Sequence, residues 1–209
     1  MKDKAKNAGG RVESPKGKAI LAASTEVFLD EGFASFSLRR VAQAMGISLG
    51  TLQYYFPTLD DLLGATLVGL MNRANEEVHR IASGPEAVED RIALVCGFVI
   101  EVNRQQTTSQ LIFEALSLAQ RNAMARRIVA DSYNEYRSIL ARLIAEASPQ
   151  LAPGECLVRA TMIASLLEGL VIFSYPGGPD PIDWNRATTA IRNNVFALVY
   201  SDDTGRAHS

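Results

Sequence analysis

The sequence predicts an all-α protein of about nine helices, three short ones followed by a bundle of about six longer ones. Three observations carry that prediction. Apolar residues recur at spacings of 3, 4 and 7 through nearly every periodic segment, as on one face of a helix, and no segment sustains the alternation of a strand. Ser, Pro and Gly punctuate the chain where helix caps and stops are needed. A length of 209 residues with 47% hydrophobic content suffices to bury a substantial core.

Residues 1–13 hold Gly9, Gly10 and several lysines with nothing to pack, which predicts a disordered basic arm. Ser14-Pro15 then supplies an N-cap followed by Pro at the first helical position. That first helix carries Ile20, Leu21, Val27 and Phe28 and stops at Gly32. Ser37 caps a second, short helix with Leu38, Val41, Ala42 and Met45 facing inward, and Gly46 ends it. Ser48 caps a third short helix, which Phe56-Pro57 closes. A long fourth helix over 59–81 has Leu63, Leu67, Leu70, Met71, Ala74, Val78 and Ile81 along one stripe, and Ser83-Gly84-Pro85 breaks it.

Segment 88–104 is apolar nearly all round, as in a helix surrounded by others. A short helix over 111–118 follows, then a long one over 123–147 that ends at Pro149 and Pro153-Gly154. Segment 155–175 is again apolar on most sides until Pro176-Gly177-Gly178-Pro179 stops it. The last helix, 184–200, bears Ala187, Ile191, Val195 and Leu198 as its stripe. This reading gives a basic arm (1–13), a three-helix domain (14–60), a larger helical domain (61–200) and a flexible tail (201–209), with no internal repeat.

Composition excludes several functions. Cys96 and Cys156 sit singly in apolar segments without a CxxC spacing, so they read as two buried thiols. His79 and His208 are the only histidines. Glu76-Glu77-Val78-His79 contains one Glu-x-x-His, but di-iron bundles need that motif twice, so no metal site is expected. The GxxxxGK[ST], GxSxG and GxGxxG signatures are absent, and no nucleophile–base pair can be assembled. Neither an enzyme nor a cofactor is expected. The N-terminus is Lys-rich without an apolar segment behind it, and the fully apolar runs are far shorter than a membrane span of roughly 20 residues. A cytoplasmic protein without a membrane partner is therefore predicted. The first 18 residues hold six bases and two acids, a charge balance that suits a polyanion.

The informative stretch runs from Phe36 to Phe56. It reads as a capped helix, a tight turn at Gly46 and a second capped helix of about two turns, which is helix-turn-helix geometry. Leu52 and Phe56 point inward at a spacing of 4, leaving Leu49, Gly50, Thr51, Gln53, Tyr54 and Tyr55 available. Ser37, Arg39, Ser48, Gly50, Thr51, Tyr54, Tyr55 and Thr58 are expected mainly to hold phosphates, with Leu49 and Gln53 nearest the bases. By geometry alone the same stretch also suits a helical-bundle interaction module with a degenerate helix-turn-helix.

Residues 14–74 resemble the DNA-binding domain of the TetR family of bacterial transcriptional repressors. The resemblance rests on Ile20-Leu21, Ala23, Phe28, Gly32-Phe33, Ser37-Leu38-Arg39 and Val41-Ala42, then on Gly46-Ile47-Ser48-Leu49-Gly50-Thr51-Leu52 and Tyr55-Phe56-Pro57. Two positions depart from the family pattern: Gln53 stands where members usually carry Tyr, and Leu59 where they commonly carry Lys. The lost Lys removes one phosphate contact, for which Lys16, Lys18 or the arm can compensate. Gln53 can reach either adenine or a phosphate. The stretch from Phe113 through Tyr133 and Tyr136 is loosely similar to the ligand domain of betaine-regulator-type members.

The resemblance implies a ligand-responsive homodimeric repressor that binds a palindromic operator in double-stranded DNA and is released by a small effector. It places the effector pocket within residues 85–175. Phe98, Phe113, Tyr133, Tyr136 and Phe173 are suited to line it, with Asn103, Arg104 and Glu114 as polar handles, so the effector is expected to be mostly apolar. An apolar helix packs one face on its own bundle and needs a partner for the other. Ile163, Leu167, Leu170 and Val171, with Ile191, Val195 and Leu198 of the last helix, are the expected dimer interface.

Overall fold

The computed structural model describes residues 11–174 and 183–201. Nine helices of seven residues or more and one of four residues make up these residues, with no strand among them. In chain order they are α1 (Pro15–Ser35), α2 (Leu38–Ala44), α3 (Leu49–Tyr55), α4 (Leu59–Ala82), α5 (Val88–Asn103), α6 (Gln106–Arg121), α7 (Ala123–Ala147), α8 (Pro153–Glu168), α9 (Val171–Ser174) and α10 (Trp184–Tyr200).

The chain divides into two compact units, Met1–Arg73 with Gln110–Asp131, and Ala74–Ser109 with Ser132–Ser209. The boundary expected at residue 60 therefore lies later in the chain, inside α4. Leu62, Leu63 and Leu67 are buried with the N-terminal helices, and the hydroxyls of Ser24 and Thr66 are 2.8 Å apart in that core.

In the first unit the predicted caps form. Ser14 Oγ accepts from Gly17 N, Ser37 Oγ from Arg40 N and Ser48 Oγ from Thr51 N, each satisfying an orphan donor of a first turn. Gly32 (φ 71°) breaks the regular backbone of α1, and Gly46 (φ 63°) turns the chain between α2 and α3. Both take a conformation that a side chain would strain. Ile20, Phe28, Val41, Leu52 and Phe56 fill the core, and Phe28 meets Phe36 edge to face at 5.7 Å.

In the second unit α8 packs against α5 and α10. Val95, Cys96, Ile139, Leu143, Ile163, Leu167 and Val195 form the centre of its core. Arg159, itself buried, donates from Nη1 to the carbonyls of Leu198 and Ser201 at 2.9 Å each, placing a cation at the electronegative end of α10.

Four further expectations need correction. Residues 11–13 are ordered: Arg11 and Val12 form a helical turn, whereas the rest of the expected arm lies outside the described residues. The same holds for the expected tail beyond Ser201. The helix expected over 111–118 extends to Gln106–Arg121, because its polar Thr and Ser residues hide the helical period. The helix expected over 155–175 ends at Glu168. After it Leu170 N bonds to Leu167 O and Phe173 N to Leu170 O, three residues back, a tightened turn at the poor helix former Gly169. Pro153–Phe173 is long and apolar enough to cross a membrane by composition. In the fold it is interrupted there, and it buries Cys156, Ala160, Ile163 and Leu167 in the core.

The last correction concerns the expected dimer interface. Ile163, Leu167, Leu170, Val171 and Val195 are all buried by the chain's own residues, with Leu170 at 8% and Val195 at 1% exposure. Only Ile191 and Leu198 of that set keep partial exposure. The apolar residues of α8 that face outward are Leu157, Val158, Met162 and Leu166.

Candidate nucleic-acid interface

Seven residues form α3, and Leu52 alone among them is buried. A helix this short cannot be held by its own hydrogen bonds. Leu52, the Ser48 cap and Phe56 hold it, leaving Gly50, Thr51, Gln53 and Tyr54 exposed, with Leu49 and Tyr55 half-buried. Ser48 and Arg39 are exposed and Ser37 is half-buried, so the predicted contact residues gather on α2, α3 and their caps.

Thr58 has a second duty. Its hydroxyl donates to Asp61 Oδ2 (2.7 Å), while Asp61 N donates back to Thr58 Oγ1 (3.1 Å), a reciprocal cap at the start of α4. Thr51 and Ser48 also share a hydroxyl pair at 2.8 Å. The neighbouring Arg40 is tied to Glu31 (Nε–Oε2 2.9 Å), leaving Arg39 as the outward guanidinium of α2.

Arg11 belongs to this surface although sequence reasoning left it in the arm. Its Nη1 donates to Tyr54 O (3.2 Å) and its guanidinium lies 4.4 Å from the centroid of the Tyr54 ring. The contact puts a cation at the C-terminal end of α3, where the last carbonyls favour it. Tyr54 in turn meets Tyr55 edge to face at 5.2 Å. No local signal could reveal this pairing, since 43 residues separate the partners.

A short capped helix that exposes polar side chains and positive charge is a geometry for reading DNA. The comparisons with known proteins agree. Residues 20–66 match bacterial regulatory proteins of the tetR family, and residues 88–199 match the C-terminal domain of BetI-type transcriptional repressors. The chain belongs to the TetR family.

This TetR-family chain is thus a DNA-binding transcription regulator and not an enzyme. It is 24% identical to the HTH-type transcriptional regulator PksA of Bacillus subtilis over 196 residues, covering 91% of this chain and 94% of PksA. It is 22% identical to the HTH-type transcriptional regulator BetI of Escherichia coli over 202 residues, covering 91% and 97%. Its fold resembles that of a transcriptional regulator from Pseudomonas aeruginosa PAO1, with a TM-score of 0.75 at 18% identity, covering 89% and 92%.

The expected effector residues of this TetR-family chain are brought together only in part. Phe113 and Glu114 belong to the first unit and line a surface depression with Phe33, Ala34, Ser117 and Arg121. In the second unit Arg104 stacks over Trp184 at 5.1 Å, Phe98 packs against the core, and Phe173 is largely exposed. Asn103, Tyr133 and Tyr136 do converge, around a carboxylate that sequence reasoning missed. Asn103 Nδ2 donates to Leu167 O (3.0 Å) and Glu168 Oε1 (3.4 Å), and the Tyr133 hydroxyl donates to Glu168 Oε2 (3.3 Å). The Tyr136 hydroxyl is buried and has no hydrogen-bond partner among the described residues.

Burial raises the Glu168 carboxyl above the usual range, against a smaller opposite pull from the Asn103 and Tyr133 hydrogen bonds. Burial and the nearby Glu168 charge also push both phenols up. Burial lifts the Cys96 thiol to about 11, partly offset by Arg192, so that thiol is inert. The sign for Glu168 gives a prediction. The folded carboxyl keeps its proton to higher pH than the unfolded one, so its stabilisation is complete below the ordinary carboxylate pKa and is lost as pH rises through the raised value. Glu168→Gln therefore raises the melting temperature at neutral pH, and its advantage shrinks in mild acid. Melting curves across pH check this; parallel profiles for both proteins would exclude Glu168 as the responsible group.

Proposed function

We propose that the protein is a cytoplasmic, homodimeric repressor that binds a palindromic operator and is released by a small effector held in its second unit. The observation that carries this reading is α3, a capped helix that buries Leu52 and presents Leu49, Gly50, Thr51, Gln53 and Tyr54 outward. Leu49 and Gln53 reach the bases, while Ser37, Arg39, Ser48, Gly50, Thr51, Tyr54, Tyr55 and Thr58 hold phosphates, joined by Arg11. The effector enters among Asn103, Tyr133 and Tyr136, its apolar body against the bundle.

The outward side of α8 supports the homodimer. Val158, Met162 and Leu166 form an open apolar depression with Leu198 of α10. Left in water it would be a patch of the kind that marks an interface, and a two-fold contact covers it in both copies at once. Two recognition helices then reach successive major grooves, about one helical turn apart, so the operator is two-fold symmetric.

A gel shift on the DNA upstream of the chain's own gene tests the reading. Binding should exceed that to scrambled DNA and fall steeply with salt, because phosphate neutralisation releases counterions. Gln53→Ala should cost about 1–3 kcal/mol and relax the preference at one base pair per half-site. Equal affinity for upstream and scrambled DNA would sink the proposal.

A further inference from the structure

Glu168 is placed badly for a group without a ligand. It is the last residue of α8, where the helix dipole presents its negative end and disfavours a carboxylate. Its hydrogen-bond partners among the described residues are neutral, an amide at 3.4 Å and a phenol at 3.3 Å, both long beside the short bonds that a carboxylate forms with a cation. None of the ion pairs among the described residues uses it. A carboxylate has about four lone-pair sites, so acceptor capacity is left over.

A second observation points the same way. Tyr136 is 4% exposed and its hydroxyl has no partner among the described residues, which buried hydroxyls rarely tolerate. Tyr133 and Tyr136 lie three residues apart on α7, hence on one face, and both phenols feel the charge of Glu168. Among the described residues, a carboxylate short of a cation and a phenol short of a partner thus occur in one cluster.

We propose that Glu168, with Tyr133 and Tyr136, is the receptor for a protonated primary or secondary amine on the effector. One N–H bonds to the Glu168 carboxylate and another to the Tyr136 oxygen, while Asn103 keeps the carboxylate in place through its bond to Leu167 O. The positive charge offsets both the burial of the carboxylate and the dipole of α8. A neutral alcohol brings no charge, and a quaternary ammonium brings no N–H for Tyr136, so neither matches the cluster. This inference rests on the reading that the second unit receives an effector, and it specifies an ammonium head on an otherwise apolar molecule.

The test titrates the full chain by calorimetry with n-hexylammonium, hexan-1-ol and hexyltrimethylammonium. Hexylammonium should bind at one site per chain and raise the melting temperature, and the other two should bind on the order of tenfold more weakly. Glu168→Gln, nearly isosteric, and Tyr136→Phe should each weaken hexylammonium by a similar factor. The proposal is overturned if none of the three binds, if hexanol or the quaternary probe matches hexylammonium, or if Glu168→Gln binds it as the wild type does. A gel shift without amine separates this result from the regulatory reading. DNA binding without amine binding removes the amine site alone; amine binding without DNA binding supports the site and sinks the repressor.

Discussion

Gly50→Glu should lower operator affinity by roughly 100-fold or more while leaving the free protein at least as stable. The two halves of that expectation have separate causes. A Cβ at Gly50 would have Ser48 Oγ, 3.9 Å away, as its nearest neighbour, so the free protein has room for a side chain. Gly50 is also in the first turn of α3, where a side chain improves helix propensity and an acid suits the dipole. DNA alone objects to the change. The position lies beside the Ser48 cap, on the side where a phosphate must approach the free N–H groups, and a carboxylate there opposes like charge with like. Gel shifts with paired melting curves measure both quantities, and unchanged affinity in a stable protein would overturn the assignment of α3 as the reading helix. Gly50→Ala should fall between the two, because it adds bulk without charge.

Met162→Glu should give a monomer that has lost specific operator binding. Met162 is 48% exposed on α8 and its neighbour Leu166 is 39% exposed, so the isolated chain tolerates a charge there. In a dimer each copy would face the other across the two-fold axis, burying two unpaired carboxylates. Separation of the copies turns bivalent DNA binding into two weak single contacts, a loss of about 10²–10⁴ in affinity. Static light scattering gives the mass, and a variant that stays dimeric would place the interface elsewhere. Glutamate at Leu170 or Val195 is a different experiment. Both are core residues, so those variants unfold and say nothing about association.

The N-terminal helices were legible because their signals are local. Ser37, Gly46, Ser48 and Phe56-Pro57 each act within a few residues of themselves, and they bound α2 and α3 where the fold has them. The outward set of α3 was legible for a related reason: a two-turn helix with one buried residue has its remaining face fixed by the helical period. The resemblance to TetR regulators rested on those same positions.

The second unit was less legible. Segment 155–175 is apolar on both sides, so its period cannot tell Ile163 and Leu167, which enter the core, from Met162 and Leu166, which do not. That choice belongs to α5 and α10, which pack against one side of α8. Arg11 met Tyr54 across 43 residues and Asn103 met Glu168 across 65, distances over which no spacing rule operates.

By itself the sequence determined the all-α class, the position of the short capped helix α3 and the side chains that helix exposes, because caps, turns and a 3.6-residue period are properties of short stretches of chain. Tertiary structure alone decided which face of α8 its own unit leaves exposed, which cation docks on α3 and which carboxylate gathers Asn103 and Tyr133 around it. Burial and charge pairing depend on what the rest of the chain brings alongside, and no residue carries that information in its own neighbourhood.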